Sequence, residues 1–459
     1  MFSLAVTLGL YSYAIFFLGV THLLTKTNIL IVSLIFIPIF ISQFKPLKFP
    51  KLNIFLFLIT LQLAVNLIGA LGPEIGFDAL WYHLTLPKIW LQRIEMIFIT
   101  GAQFKYSVMP MLTEMYYFIF PGKLVHYFFG VLSLIVTYKI SRSLLATLIL
   151  SSNLVFGWQQ TSAYIDLSRT FFEIMALYLF LDNKIYKSAV LLGLAASTKL
   201  LALGSLPIFW LLLWLKEKSL KSLIRYTLYV ILTVSPWLLR AYYHTGNPVH
   251  PFFSPLYTDT KISLDPRNLL TLFTHAADPL HPIYLPALLL LLFTVTKLSQ
   301  KLKMTALYSL LSLVVWQLTP NSGGGRFILP YLPALSIIAA QVASKFKVLT
   351  LFIILYSLFT ISYRFTANLK YLQPQEQLLK QKLAFNFGDY YDFDHFFQPS
   401  DRVLPIGINN LYYLNSYVAF PDEKFEYILV HGSLPREFKD WKLVSQNAIT
   451  KTQIYAPPR

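Results

Sequence analysis

Cysteine is missing from the 459 residues of the sequence. Without a thiol, the chain forms no disulfide, no thiolate nucleophile and no Cys-ligated zinc or iron–sulfur site. Motifs for a P-loop (GxxxxGKS/T), a serine-hydrolase elbow (GxSxG), a dinucleotide turn (GxGxxG) and a zinc protease (HExxH) are absent as well. We therefore predict neither a cytosolic nucleotide donor nor a zinc site.

Charged residues are also scarce. They make up 13% of the chain and hydrophobic residues 56%, whereas about 25% of a soluble globular protein is charged. Apolar runs recur between residues 2 and 363, and most approach the ~20 residues that cross a ~30 Å hydrocarbon core. Because lipid offers no partner to a free backbone amide, these runs must be helices. The sequence predicts an all-α polytopic membrane protein with about 13 transmembrane helices.

Acidic residues are few relative to basic ones, 21 against 38, which gives a formal charge of +17. The basic residues fall in short clusters between apolar runs, so they indicate membrane topology rather than nucleic-acid binding. The basic loops are residues 45–51, 139–142, 184–187, 216–225, 297–303 and 345–347. We expect them in the cytoplasm with the N-terminus, in a bacterial inner membrane, and the alternate loops and the C-terminus outside it.

The sequence changes character after residue 372. Charges rise, and short β-type runs at residues 402–406 and 427–430 are separated by Asn, Pro and Gly turn signals. We predict a transmembrane domain over residues 1–372, with its first outer loop at 72–123, and a small extracytoplasmic α/β domain over 373–459.

Two carboxylates occupy outer connections. Asp78 follows an apolar run in GPEIGFDALWYH, and Asp166 opens the next span in SAYIDLSR. Each alone is compatible with a helix cap, which is a common position for aspartate. Together at one membrane surface they would supply a general base or hold a divalent cation such as Mg²⁺ or Mn²⁺ beside a phosphate.

Three basic residues, Lys199, Arg240 and Arg326, lie at or near outer helix ends in the predicted topology. Arginine presents a planar fork of donors that fits phosphate, and lysine a point charge. Snorkelling towards lipid headgroups is the alternative explanation for each of them. We expect the trio to bind a phosphate if it converges on the two carboxylates.

Five segments in order resemble the GT-C superfamily of membrane glycosyltransferases, which includes protein O-mannosyltransferases and aminoarabinose transferases. They are FDALWYHLTLPKIWL, YIDL, GLAASTKL, PWLLRAYYHTGNPVHPFF and GRFILPYLPAL. The resemblance implies a polyprenyl-phosphate-linked sugar donor, with Asp78 as general base and Asp166 at the second acidic position. Ala79 follows Asp78 where the mannosyltransferases often have an acidic pair, so the same acceptor is not implied.

The resemblance also implies that Lys199, Arg240 and Arg326 neutralise the carrier phosphate. We predict that the substrate pocket is completed by residues from the same loops, namely Tyr82, His83, Tyr164, Asn247 and His250. The expected partners are the lipid-linked donor, membrane lipids and a glycan, lipid or protein acceptor, without nucleic acid. A flippase or transporter, a polysaccharide polymerase or ligase, and a lipid-binding scaffold are the alternatives; a transporter would place its ionisable residues near mid-membrane.

Overall fold

The computed structural model describes residues 1–43, 51–101, 103–256, 262, 264–274, 279–319, 324–383, 396–447 and 450–458. Most of the predicted basic loop at 45–51 therefore lies outside the described residues.

Helices make up most of the described chain. They are α1 (Phe2–Val20), α2 (Lys26–Gln43), α3 (Ile54–Leu71), α4 (Thr85–Arg93), α5 (Gly122–Ser141), α6 (Leu144–Ser151), α7 (Leu154–Gln159), α8 (Asp166–Leu181), α9 (Ile185–Thr198), α10 (Leu206–Glu217), α11 (Leu220–Thr245), α12 (Asn268–Thr274), α13 (Tyr284–Thr294), α14 (Gln300–Gln317), α15 (Gly324–Ile328), α16 (Leu332–Ala343), α17 (Lys347–Asn368) and α18 (Gln375–Leu383).

Many of these helices have the length and apolar composition of transmembrane helices. Among the described residues, eight helical segments are long and apolar enough to cross one, and α9 and α13 belong to shorter apolar segments. The chain is a polytopic α-helical integral membrane protein with a small C-terminal sheet, which confirms the predicted fold class. The count of about 13 spans remains a prediction.

Loops predicted to share a membrane face meet in the structure. Lys139 and Arg142 line one cavity together with Asp182 and Lys301, from two other basic loops. Lys301 Nζ lies 4.0 Å from Asp182 Oδ1 across that cavity. Residues at three of the six predicted basic loops therefore lie together. The placement of all six on one face, and the side of the membrane that this face meets, remain predictions.

The segment from α9 to α10 forms an antiparallel hairpin. Its turn lies at Lys199, which contacts Asp166 at the start of α8. Lys216, near the end of α10, returns to donate to the Asn183 side chain, close to where α9 begins. The apolar run at residues 188–197, which is too short to span a membrane comfortably, thus belongs to the longer helix Ile185–Thr198, separate from α10.

Five strands form the C-terminal sheet: β1 (Arg402–Ile406), β2 (Tyr417–Val418), β3 (Tyr427–Val430), β4 (Lys442–Gln446) and β5 (Gln453–Ala456). Their order is β2-β1-β3-β5-β4, with β1 parallel to both neighbours and β5 antiparallel to β3 and β4. The two strand runs predicted from sequence match β1 and β3. The division into domains at residue 372 remains a prediction.

Side chains of α4 anchor this sheet to the first outer loop. Lys88 Nζ donates to the carbonyls of Leu411 and Tyr412, each at 3.0 Å. Arg93 Nη2 donates to the Glu423 carboxylate at 2.8 Å. A lysine and an arginine that lie in a membrane-surface loop therefore hold a sheet more than three hundred residues later in the chain.

Gly193 should control the packing of α9 on α11. A Cβ built there would overlap the Thr233 side chain and lie 2.8 Å from the Val230 carbonyl oxygen. We expect Gly193→Ala to destabilise the protein by about 1–3 kcal/mol, because overpacking forces the two helices apart. Gly204→Ala is the matched control, since a Cβ there meets only one Val315 methyl at 3.0 Å. Equal midpoints of thermal unfolding in detergent for the two variants would contradict this prediction.

Candidate active site

Glu74 fixes the start of the first outer loop. One of its carboxylate oxygens accepts from the backbone N–H groups of Ile75 at 2.8 Å and Gly76 at 2.7 Å. The other accepts from the backbone N–H of Ala163, in the turn before α8. The Glu74 side chain is buried. The loop that carries Asp78 is thereby attached to the turn that leads to Asp166.

Asp78 directly precedes a single turn of π-helix, Ala79–His83. The Leu84 N–H donates to the Ala79 carbonyl at 2.9 Å, which is the five-residue spacing of that helix type. Asp78 makes no capping hydrogen bond with its side chain. Its Oδ2 instead accepts from Arg326 Nη1 at 2.6 Å, so capping does not explain this carboxylate.

His126 holds the first turn of α8, where Asp166 begins the helix. His126 Nδ1 lies 2.8 Å from the Gln159 carbonyl and 2.9 Å from the Ser162 carbonyl, so it donates there. Its Nε2 accepts from the Leu167 N–H at 2.8 Å. Because one ring nitrogen donates and the other accepts, a neutral imidazole joins the incoming turn to the helix.

Four charged side chains form a chain of ion pairs between these elements. Arg326 bridges the two carboxylates, with Nη1 2.6 Å from Asp78 and Nε 3.7 Å from Asp166. Lys199 Nζ contacts the other oxygen of Asp166 at 2.6 Å. Opposite charges alternate along the chain and sum to zero. All four come from ends of elements that the topology placed outside the membrane.

The two carboxylates occupy different environments. The Asp166 side chain is 2% exposed and lies between two cations, whereas that of Asp78 is 20% exposed and contacts one. A buried carboxylate surrounded by cations is suited to holding them in place, because removing it would leave their charges unpaired. Asp78 is therefore the more accessible of the two carboxylates.

Lys199 follows the last residue of α9 in an extended conformation, which turns its side chain back towards Asp166. Burial lowers the pKa of Lys199 to about 8, and the Asp166 carboxylate opposes that shift. The ammonium also lies 4.5 Å from the centre of the Phe327 ring. Lys199 therefore remains a cation at neutral pH but titrates only slightly above it.

A cavity of about 250 Å³ opens onto these groups. It is lined by Asp78, Tyr82, His83, Tyr106, Met109, Pro110, Met111, Glu114, Ile165, Thr198, Lys199, Leu200, Leu201, Phe252, Arg326 and Phe327. Of the substrate-pocket residues predicted from sequence, Tyr82 and His83 line it directly. Tyr164 lies beneath it, with its ring 5.0 Å from the Arg326 guanidinium carbon.

His83 and Glu114 form a buried pair in the cavity wall. His83 Nδ1 lies 2.7 Å from Glu114 Oε1. Burial lowers the pKa of His83 well below its usual value and raises the pKa of Glu114 well above its own. Both shifts favour the uncharged forms, so the pair is a neutral hydrogen bond rather than an ion pair.

Three predicted residues lie away from this cavity. Arg240 is buried and donates to the carbonyls of Ser107 at 2.8 Å and Met96 at 2.7 Å, so it ties α11 to the first outer loop. Asn247 and His250 belong to the turn after α11, where the Asn247 amide donates to the Phe252 carbonyl at 2.7 Å. Arg240 is thus not brought to the ion pairs, and its role at the phosphate remains a prediction without a contact to support it.

A second, apolar cavity of about 510 Å³ adjoins the first. The two share Leu200, Leu201 and Phe252 in their walls. The second cavity continues along α10 and α14, where Ile208 and Val314 are among its lining residues. The charged pocket therefore opens beside an apolar cavity that follows α10 and α14, where lining residues such as Leu211 and Val314 are exposed.

Metal binding receives no support from clustered ligands. Across the part of the chain that the structure describes, no group of three or more His, Cys, Asp or Glu side chains is placed to hold an ion. The predicted divalent cation remains a prediction.

Glu74 and His126 were missed by the sequence reasoning. Glu74 stands four residues before Asp78 in GPEIGFD, and its position beside a Pro and a Gly indicated a tight turn that needs a hydrogen-bond acceptor. His126 lies inside an apolar run, where a lone histidine is commonly explained by packing. Its pairing with a turn forty residues later left no local signal.

No protein-family model and no curated protein matches the sequence. Solved structures do match. ArnT from Cupriavidus metallidurans in the apo state aligns with a TM-score of 0.61 at 10% identity, over 88% of this chain and 99% of that one. ArnT bound to undecaprenyl phosphate aligns with a TM-score of 0.55 at 11% identity and the same coverage. The chain thus has the GT-C fold that its sequence predicted.

Asp166 should stabilise the fold through the charges that it neutralises. We expect Asp166→Asn to destabilise the protein by about 3–5 kcal/mol, because Lys199 loses its partner in a buried site. The comparison is Asp182→Asn, whose partner Lys184 is 49% exposed and stays hydrated. Thermal unfolding in detergent measures both variants. A midpoint for Asp166→Asn as high as that of Asp182→Asn would show that the buried pair adds no stability.

Proposed function

We propose, from the GT-C fold that the chain shares with ArnT, that it is a membrane glycosyltransferase. It would transfer a sugar from a polyprenyl-phosphate carrier to an acceptor on the extracytoplasmic face of a bacterial inner membrane. The observation that carries the proposal is the chain of ion pairs Asp78–Arg326–Asp166–Lys199 at the mouth of an apolar cavity.

The two cavities match the two halves of such a donor. A polyprenyl chain needs an apolar space open to the bilayer, and the cavity along α10 and α14 supplies one of about 510 Å³. Its phosphate needs cations at the membrane surface, and Lys199 and Arg326 line the adjoining pocket. One of the matching ArnT structures is bound to undecaprenyl phosphate, a molecule with both halves.

The proposed reaction requires one base and one stabilised leaving group. Asp78 takes the proton of an acceptor hydroxyl as that oxygen attacks the anomeric carbon of the sugar. The bond between that carbon and the phosphate oxygen breaks, and the electron pair leaves with the polyprenyl phosphate. Lys199 and Arg326 stabilise the negative charge that develops on the phosphate, which is where electrostatic catalysis contributes most.

The contact between Arg326 and Asp78 favours an ordered reaction, in which the donor binds before the acceptor. In the structure Arg326 donates to Asp78 at 2.6 Å, so the proposed base is paired with a cation that would bind the phosphate. A donor phosphate competes with Asp78 for the guanidinium, and its binding frees the carboxylate for the acceptor. Asp166 keeps both cations within reach during this exchange, since it contacts Lys199 and Arg326 together.

Asp78→Asn tests the base directly. An amide does not accept the proton, so we expect transfer to fall by about 10²–10⁴-fold while the protein stays folded and binds undecaprenyl phosphate. The assay supplies labelled polyprenyl-phosphate sugar to purified protein and follows release of the carrier phosphate. Asp265→Asn, in an exposed ion pair of another outer loop, is the control.

The same assay separates the alternatives. Wild-type activity retained in Asp78→Asn would remove Asp78 from the mechanism. Movement of intact donor across proteoliposome membranes without phosphate release would identify a flippase, and binding without either would identify a scaffold.

The pH dependence should report Lys199. A lysine is cationic below its pKa and neutral above it, and burial places this pKa at about 8. We expect kcat/KM, which reports the free enzyme, to fall about tenfold per pH unit above that value. Lys199→Arg keeps its charge throughout and should move the fall to higher pH. An unshifted alkaline limb for kcat/KM, or for binding of undecaprenyl phosphate, would contradict the proposed role.

A further inference from the structure

A third cavity separates the first outer loop from the C-terminal sheet. Its volume is about 990 Å³, at the upper end of the roughly 300–1,000 Å³ that small-molecule pockets occupy. One wall is formed by residues 92, 93, 95, 97–101, 103 and 104, and the other by residues 404–407, 417, 419–423, 435, 437 and 438. None of the groups assigned to the proposed reaction lines it.

Arg93 is the one cation in the described lining of this cavity. Its side chain is only 7% exposed. The guanidinium lies between two aromatic rings, 4.8 Å from the centre of Tyr417 and 4.6 Å from that of Phe420. Nη2 donates to the Val418 carbonyl at 2.9 Å and to Glu423. Nη1 has no hydrogen-bond partner among the described residues, so a fixed donor remains unused.

The sheet presents the carboxyl end of a parallel strand to the cavity. β1 runs parallel to both β2 and β3, and its last residue Ile406 and the following Gly407 line the wall. Ligands of open α/β sheets bind at the carboxyl ends of their parallel strands. The cavity therefore has the position, as well as the size, of a binding site.

The lining restricts the chemistry of a ligand. Four carboxylates face one arginine in the described lining: Glu95, Asp422, Glu423 and Glu437 against Arg93. The carboxylates would repel a polyanion, and a hydrocarbon tail would leave Arg93 Nη1 without a hydrogen-bond partner. Five aromatic rings, those of Phe98, Phe104, Tyr417, Phe420 and Phe438, also line it. Neutral hydroxyl groups both donate to carboxylates and accept from a guanidinium, and sugar rings pack their apolar faces on aromatic rings.

The cavity also lies close to the proposed active site. Gln103 and Phe104 line it, and Tyr106, two residues on, lines the pocket of the ion pairs. Trp81, on the π-helix beside Asp78, donates to the Gln103 carbonyl at 2.6 Å and has its ring 5.2 Å from that of Tyr106. One short segment thus forms a wall common to both spaces.

We propose that this cavity binds an uncharged, hydroxyl-rich glycan, the carbohydrate part of the acceptor. The identification of this glycan as the acceptor rests on the proposed function, but the binding of a glycan in the cavity does not. Bound there, the glycan would present a hydroxyl past the shared wall to Asp78.

Binding can be measured on the full-length protein in nanodiscs free of glycosidic detergent. Saturation-transfer NMR would compare galactotetraose, mannotetraose, cellotetraose and chitotetraose with tetragalacturonate, the acidic counterpart of the first. At least one neutral tetrasaccharide should bind, and tetragalacturonate should bind more weakly than galactotetraose. No binding by any neutral probe, or preferred binding of the acidic one, would overturn the proposal.

Two variants locate the site. Arg93→Lys keeps a cation for Glu423 but removes the unused donor, and should weaken glycan binding by about tenfold. Glu437→Gln changes an exposed carboxylate of the cavity without disturbing the fold and should weaken binding by several-fold. Asp440→Asn, exposed and outside the cavity lining, is the control. Unchanged binding in folded Glu437→Gln and Arg93→Lys would overturn the assignment.

Asp78→Asn separates this proposal from the proposed function. It should bind the same tetrasaccharide with wild-type affinity while transfer is lost. Glycan binding by a wild-type protein that never releases carrier phosphate would refute only the proposed transferase function. Transfer to a glycan acceptor with a KM unchanged in both cavity variants would refute only the assignment of this cavity as the glycan site.

Discussion

The structure depends on keeping two cations and two carboxylates together at the meeting point of four distant segments of the chain. Asp166 is the centre of that arrangement, since it contacts Lys199 and Arg326 while it is almost completely buried. Burying a charge is unfavourable unless it is paired, so the ends of α8, α9 and α15 are held at a common point by electrostatics. Helix packing brings these ends near one another, and the ion pairs fix their side chains.

Hydrogen bonds to the backbone hold the elements that carry these charges. Glu74 and His126 bind backbone groups of the turn between α7 and α8. In a site of low dielectric such bonds are strong, and a partner left without one is costly. The position of Asp166 is therefore determined by the loop that follows α3 and by α5, as well as by its own helix.

Much of this fold was predictable, because a membrane restricts a chain to apolar helices with alternating charged loops. The clustering of Asp78, Asp166, Lys199 and Arg326 followed from topology, which places their loops on one surface. Arg240 met the same criterion and nevertheless lies elsewhere, since topology fixes a residue's depth but not its position across the surface. Contacts between a side chain and backbone carbonyls, such as those of Arg240, leave no pattern in a single sequence. The close helix contacts at glycines and the strands β2, β4 and β5 were not predicted from the sequence either.

The attachment of the sheet to α4 orders the events of biosynthesis. Ribosomes make the loop with Asp78 early, yet Lys88 and Arg93 find their carbonyl and carboxylate partners only in residues beyond 400. Contacts so distant in sequence form late, because the chain between them must first be closed into a loop. The helices can therefore assemble before the first outer loop is secured, and folding of the last sixty residues is the step that fixes this loop.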